Sequence, residues 1–91
     1  MVLPNGLRVI LRNAFKNCIS LEEIFLPETV ERIDDNAFMG CTGLKSINIP
    51  ETVTTIENNA FKGCDNVVLR VASGSYGEQY AIRRKIKYTA E

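Results

Sequence analysis

The sequence predicts a β-rich solenoid made from one repeated unit. Three observations predict it. Cys18, Cys41 and Cys64 recur at a constant interval of 23 residues, the same step relates Ala14-Phe15, Ala37-Phe38 and Ala60-Phe61, and two alternating apolar segments end in register at Pro27 and Pro50. A fixed period of this length is the mark of a repeat architecture. Laying residues 14–36 over 37–59 also matches Leu21 with Leu44, Ile24 with Ile47, Glu28-Thr29-Val30 with Glu51-Thr52-Val53, Ile33 with Ile56 and Asn36 with Asn59. One step earlier, Leu3-Pro4 falls on Leu26-Pro27 and Ile10 on Ile33, so the chain opens inside a unit. The reading is one domain over residues 1–91: a partial repeat at 1–13, repeats at 14–36 and 37–59, a truncated repeat at 60–72 and a C-terminal cap at 73–91.

Within a unit, Leu21-x-x-Ile24-x-Leu26 and Leu44-x-x-Ile47-x-Ile49 end in the period-two pattern of a short strand with its apolar side inward. Proline has no N–H for a ladder, so Pro27 and Pro50 belong where pairing stops. Val30 with Ile33, and Val53 with Ile56, are inward anchors for an extended or irregular segment on the opposite wall. Asn36 and Asn59 precede Ala-Phe, where an asparagine caps a helical turn or supports a left-handed bend. A single coil cannot hide its apolar side, so coils stack about 4.8 Å apart and equivalent residues form ladders. The expected core is Leu21, Ile24, Leu26, Leu44, Ile47, Ile49, Phe38 and Phe61, with Phe15 and the three cysteines in the same ladders.

Composition excludes several classes of function. Eleven basic and eleven acidic residues give a formal charge of zero, against a strongly basic nucleic-acid binder. Apolar residues make up 45% of the chain and charged residues 24%, ordinary globular values, and no apolar run is long enough to insert in a bilayer. Histidine is absent, which removes the usual general base and the commonest zinc ligand. No catalytic spacing and no phosphate-cradling glycine loop appears, so no catalytic residues, no cofactor and no metal are assigned. The first residues, Met1-Val2-Leu3-Pro4-Asn5-Gly6, lack the plan of a secretory signal, which leaves localisation unassigned. Three cysteines without a Cys-x-x-Cys pair fit neither a disulfide framework nor a zinc ribbon. Stacked parallel Cβ vectors also disfavour a disulfide, and free cysteine behaves as a small buried hydrophobe.

Ala14-Phe15-x-x-Cys18-x-x-Leu21-x-x-Ile24-x-Leu26-Pro27, its copy from Ala37 to Pro50, and Asn59-Ala60-Phe61-Lys62-Gly63-Cys64 together resemble the BspA-type leucine-rich repeat. The resemblance covers roughly residues 2 to 71. It implies a right-handed leucine-rich repeat solenoid with short helical turns. It further implies a noncatalytic role in adhesion or protein binding, commonly in surface or secreted proteins of bacteria and some protozoa.

After Cys64 the pattern ends. Val67-Val68-Leu69-Arg70-Val71 reaches its strand end one residue early and meets Ala72-Ser73-Gly74 in place of proline. Ser75-Tyr76-Gly77-Glu78 has the spacing of a capping box, which predicts a short cap helix continuing through Lys85. Its basic residues near the C-terminal end complement the helix dipole. Gly77 stands where alanine is expected, at a cost of up to about 1 kcal/mol in helix propensity. The helix is therefore expected to depend on Tyr76 and Tyr80 packing on the last coil. Gly74-Ser75-Tyr76-x-x-x-Tyr80-Ala81 followed by Ile86-Lys87-Tyr88 also resembles the closing segment of the family.

Two surfaces are candidates for function. The outer strand face carries Glu23 and Phe25, Ser46 and Asn48, and Arg70, and in leucine-rich repeat proteins that concave sheet commonly receives partners. Phe25 reads as an interface anchor, as an isolated exposed apolar residue, or as a ring covered by an adjoining loop. Arg83-Arg84-Lys85-x-Lys87 reads as a site for phosphate or an acidic partner, or as the solvated face of a cap helix. Asp34-Asp35 and Glu57 lack the ligand density of a calcium site. The expected partner is a protein or a glycan, with no nucleic acid. The alternative is a structural cap fragment of a longer repeat surface protein, with no ligand of its own. The N-terminal edge at Leu21 to Leu26 is expected to lack a neighbour and to pair two chains as a homodimer.

Overall fold

The computed structural model describes residues 1–91. The chain alternates between two open parallel sheets. One contains β1 (Val9–Ile10), β3 (Arg32–Ile33) and β5 (Thr55–Ile56); the other contains β2 (Glu23–Ile24), β4 (Ser46–Asn48), β6 (Val68–Val71) and β7 (Tyr88–Ala90). A helix, α1 (Tyr76–Arg84), joins β6 to β7. Each unit thus adds one strand to each sheet, at a step of 23 residues that shortens to 22 between β4 and β6, in a β-rich repeat fold with one short helix. Ile10, Ile33 and Ile56 pair in register in the first sheet, and Ile24, Ile47 and Leu69 in the second.

All these isoleucines and Leu69 are buried, as are Val30, Val53, Leu26, Leu44, Ile49, Phe38 and Phe61. The segment on the opposite wall is a regular sheet, which two-residue strands are too short to announce by alternation. Leu21 departs from the expected core: like Phe15 and Cys18 it is only half-buried, because it belongs to the end unit and has packing on one side alone.

Between the sheets, each turn donates to the turn that follows. Phe15 N donates to Ala37 O and Phe38 N to Ala60 O, each at 2.8 Å. Asn17 N donates to Met39 O at 2.7 Å and Gly40 N to Lys62 O at 2.8 Å. These ties draw the phenylalanines into a parallel stack, with centroids 5.3 Å apart and planes within 4°. Thr29 Oγ1 donates to Leu7 O and Thr52 Oγ1 to Val30 O, both at 2.7 Å, so the repeated Glu-Thr corners join neighbouring units as well. The equivalent positions Asn17, Gly40 and Gly63 all have left-handed φ, at 62°, 77° and 84°. A Cβ at Gly40 would run into the Asn17 side chain, so an asparagine fits this ladder only at its open end. Asn13 and Asn36 are left-handed too, whereas Asn59, beside the cap, is not.

The cap follows the sequence in outline and differs in two details. Ser75 is the N-cap and its Oγ accepts from Glu78 N at 3.3 Å. The Glu78 carboxylate reaches past Ser75 to accept from Gly74 N at 2.8 Å, while Ser75 N donates to Ala72 O. Gly77 is the second difference. It is buried against β6 and the preceding unit, and a Cβ there would lie 2.8 Å from Ile49 Cγ2 and 3.1 Å from Val71 Cγ1. Helix propensity favours alanine by about 1 kcal/mol; overpacking a filled core costs about 1–3 kcal/mol. Gly77→Ala is therefore expected to lower the urea midpoint, and to lower it less when introduced into an Ile49→Ala background, which lacks the Cγ2 methyl, than into an Ile49→Val background, which keeps it. A midpoint raised by the single substitution would leave Gly77 with no packing role.

Candidate functional site

The outer face of the second sheet is set by its register. Glu23 pairs with Ser46 and Ser46 with Val68, forming one row. Asn48 pairs with Arg70 and Arg70 with Thr89, and Phe25, one step beyond the paired end of β2, extends this second row. Of the five residues expected on this face, Phe25, Asn48 and Arg70 therefore share one row, and Glu23 and Ser46 form a neighbouring pair.

The side chains are less free than alternation implies. Asn48 Oδ1 accepts from Leu26 N at 2.8 Å, and its Nδ2 donates to Leu26 O at 2.9 Å. Leu26 is buried just before Pro27, where the ladder stops, and an unpaired amide there would be costly. The Asn48 amide thus stands in for a strand, with one bond from each of its polar atoms committed to Leu26. Phe25 is not an isolated ring either: 40% exposed, it lies under the Arg70 guanidinium, whose carbon is 5.0 Å from the ring centroid. Such a pair contributes about 0.5–1 kcal/mol at an exposed site. Reaching across Asn48 to Phe25 leaves Arg70 Nε shielded from water and without a hydrogen-bond partner. Glu23 stays exposed and Ser46 half-buried. A depression of about 240 Å³ adjoins this row, and Arg70 and Asn48 share its lining with Glu28, Glu51 and Glu91. The acidic rim was not legible, because Glu91 reaches it only through β7.

The other residues with chemical potential are engaged in structure. Cys41 Sγ donates to Phe15 O at 3.0 Å and Cys64 Sγ to Phe38 O at 2.9 Å. Burial raises both thiols, Cys64 from 9.0 to about 12, with Cys41 adding to the rise, so neither is a ready nucleophile. Arg32 Nε donates to Asp34 Oδ1 at 2.7 Å, and Arg12 and Arg32 line the same depression as Asp34, Asp35 and Glu57. Two guanidiniums among three carboxylates make a poor cation site. On the cap, Arg83 lies 5.7 Å over the Tyr80 ring.

At the other end, residues 1–3 partly close the edge that was expected to be open. Val2 bridges to Phe25, Phe25 N donates to Met1 O at 2.8 Å, and the Met1 ammonium donates to Glu23 O at 3.1 Å. Beside them an apolar cleft of about 520 Å³ remains, lined by Met1, Phe15, Asn17, Cys18, Ile19, Ser20 and Leu21. No helix is long and apolar enough to cross a membrane.

Comparison with known proteins agrees with this architecture. A family model described as the BspA type leucine-rich repeat region (6 copies) matches residues 1–75. No curated protein and no solved structure matches the chain. With more than half of its length under that one match and its strands spaced by the same period, the chain belongs to the BspA-type leucine-rich repeat family.

Proposed function

We propose that this chain is a noncatalytic interaction module whose strand face receives a protein or glycan partner, in the manner of an adhesion repeat on a bacterial cell surface. The proposed architecture is a right-handed solenoid, with a partial repeat at 1–13, repeats at 14–36 and 37–59, a truncated repeat at 60–72 and a cap at 73–91. The family is a repeat and interaction family, generally without catalysis. One observation carries the choice of face: Phe25 and Arg70 are stacked on an open sheet, and aromatic and arginine side chains are enriched among the residues that dominate binding. Glu23 sits one row away.

The experiment is a screen of the purified chain against a glycan array and a displayed protein library, followed by titration of each binder. Phe25→Ala is expected to weaken binding at least about tenfold, the range of a modest anchor, and Glu23→Lys to weaken it further. Unchanged affinity in both variants would exclude this face. A second reading, a structural cap fragment with no ligand of its own, is favoured by the internal use of Asn48. It predicts no binder in the screen.

A further inference from the structure

Eight asparagines lie along the chain, and the structure separates them by what the next backbone amide does. An asparagine side chain is open to attack at Cγ by the main-chain nitrogen of the residue that follows, provided that this nitrogen is not held elsewhere. After Asn13, Asn17, Asn36, Asn48, Asn59 and Asn66 it donates to a backbone oxygen; Ala14 N, for example, donates to Leu11 O and Ala37 N to Asp34 O. Gly6 N and Asn59 N make no such bond, which leaves Asn5 and Asn58. Asn59 brings a side chain up to its own nitrogen, whereas glycine brings none. Asn5 and Gly6 are both exposed at a corner of the first unit, Gly6 has a φ of 94°, and a Cβ on it would meet nothing within 4 Å. The corner is not open merely because it comes first. Glu28-Thr29 and Glu51-Thr52 occupy the same corner with neighbours on both sides, and all four are exposed, with Thr29 N and Thr52 N likewise unbonded.

We propose that Asn5-Gly6 is a self-modification site, at which the chain converts Asn5 to aspartate and isoaspartate without an enzyme and with water as the only co-reactant. Gly6 N bonds to Asn5 Cγ, the Cγ–Nδ2 bond breaks, and the amide nitrogen leaves as ammonia with the proton from Gly6 N, which closes a five-membered succinimide. Water then opens the ring at either carbonyl. Breaking the new Cγ–N bond leaves aspartate; breaking the original backbone C–N bond leaves isoaspartate, with the main chain rerouted through Cβ and Cγ and one carbon longer. Aspartate gives the first unit the carboxylate that Glu28 and Glu51 supply at the same position in the next two, and lowers the formal charge of zero by one. Isoaspartate acts on the backbone instead. The corner is tied on one side by Leu3 N donating to Phe25 O and on the other by Leu7 O accepting from Thr29 Oγ1 at 2.7 Å, and a longer chain between them misplaces one of the two. The first unit thus ages in a way that the later units, with glutamate at this place, do not follow.

The test is incubation of the purified 91-residue chain in warm, mildly alkaline buffer, followed by peptide mass mapping with electron-transfer fragmentation, which tells aspartate from isoaspartate. Asn5 is expected to gain one mass unit before any other asparagine, with isoaspartate as the larger product, and the intact chain to move to a more acidic peak on anion exchange. Gly6→Thr copies Thr29 and Thr52 and so suits the corner. Its branched side chain crowds the attacking nitrogen, and conversion is expected to be lost over the same incubation. In guanidinium chloride, Asn13 and Asn36 are expected to gain on Asn5, because unfolding frees the amides that donate to Leu11 O and Asp34 O. The isoaspartate chain, separated on the column, is expected to exchange its Leu3 amide faster than the starting chain. Asn5 intact in the folded chain while it converts in denaturant, a first conversion at Asn58 or any other asparagine, undiminished conversion in Gly6→Thr, or unchanged relative rates on unfolding would each overturn the proposal. Equal protection of Leu3 before and after conversion would overturn its consequence for the backbone.

Discussion

Phe38→Ala is expected to lower the unfolding free energy by about 3–5 kcal/mol, the range for emptying a buried aromatic site. The ring is fully buried and has a parallel ring 5.3 Å away on either side, Phe15 before it and Phe61 after it. Parallel planes at that centroid distance are the offset stack that aromatic quadrupoles favour. The backbone holds the gap open after truncation, because Phe38 N still donates to Ala60 O. Small domains are stable by only about 5–15 kcal/mol, so much of the total is at stake. Urea unfolding with an unchanged slope and a much lower midpoint is the expected result. Phe15→Ala should cost clearly less, since Phe15 is half-buried at the end of the stack. Equal losses at the two positions would deny that the stack has an inside and an end.

Tyr80→Ala is expected to be of similar severity, about 3–5 kcal/mol, and to detach the cap. The side chain is fully buried and tilted at 59° against Phe61, and its Oη donates to Glu57 O at 3.2 Å. Tyr80→Phe keeps the ring and is expected to cost about 1 kcal/mol for the lost hydrogen bond. Burial pushes the Tyr80 hydroxyl from 10.0 to about 12, with Arg84 opposing the rise. The proton is therefore held more tightly in the folded chain than in the unfolded one. The resulting stabilisation is complete below pH 10 and disappears as pH rises toward about 12. Cys64, raised from 9.0 to about 12, adds a loss that starts earlier. The denaturation midpoint should fall through this alkaline range, less steeply in Tyr80→Phe. Parallel wild-type and Tyr80→Phe profiles would show that the hydroxyl does not titrate from a buried site.

Where sequence reading succeeded, it succeeded through period. Ile24 and Ile47 recur at one step and alternate with polar neighbours, and both are buried. The capping residue Ser75 was legible for a local reason, since its partner Glu78 lies three positions on. The misses are interactions between units or with unrepeated segments. Alternation points Asn48 outward, but the need of Leu26 for backbone partners turns it aside. Arg70 lies 45 residues from Phe25 in sequence and two row positions away in space, across Asn48. Gly77 looked like a weak helix residue because propensity is local, whereas Ile49 and Val71, which fix it, come from other strands. Tyr88–Ala90 has no copy elsewhere in the chain, so no period could reveal a fourth strand.

The pairing of each unit only with its immediate neighbours bears on how such a protein acquires its length. Glu23 meets Ser46 and Arg32 meets Thr55 across one step of the chain, and no strand pairs beyond its adjacent unit. A duplicated 23-residue segment spliced between two units would find on each side the partners its parent already had. The two ends would notice nothing. Length is thus free to vary by whole copies under gene duplication, while Tyr80, which covers Phe61 in place of a further phenylalanine, must be inherited unduplicated.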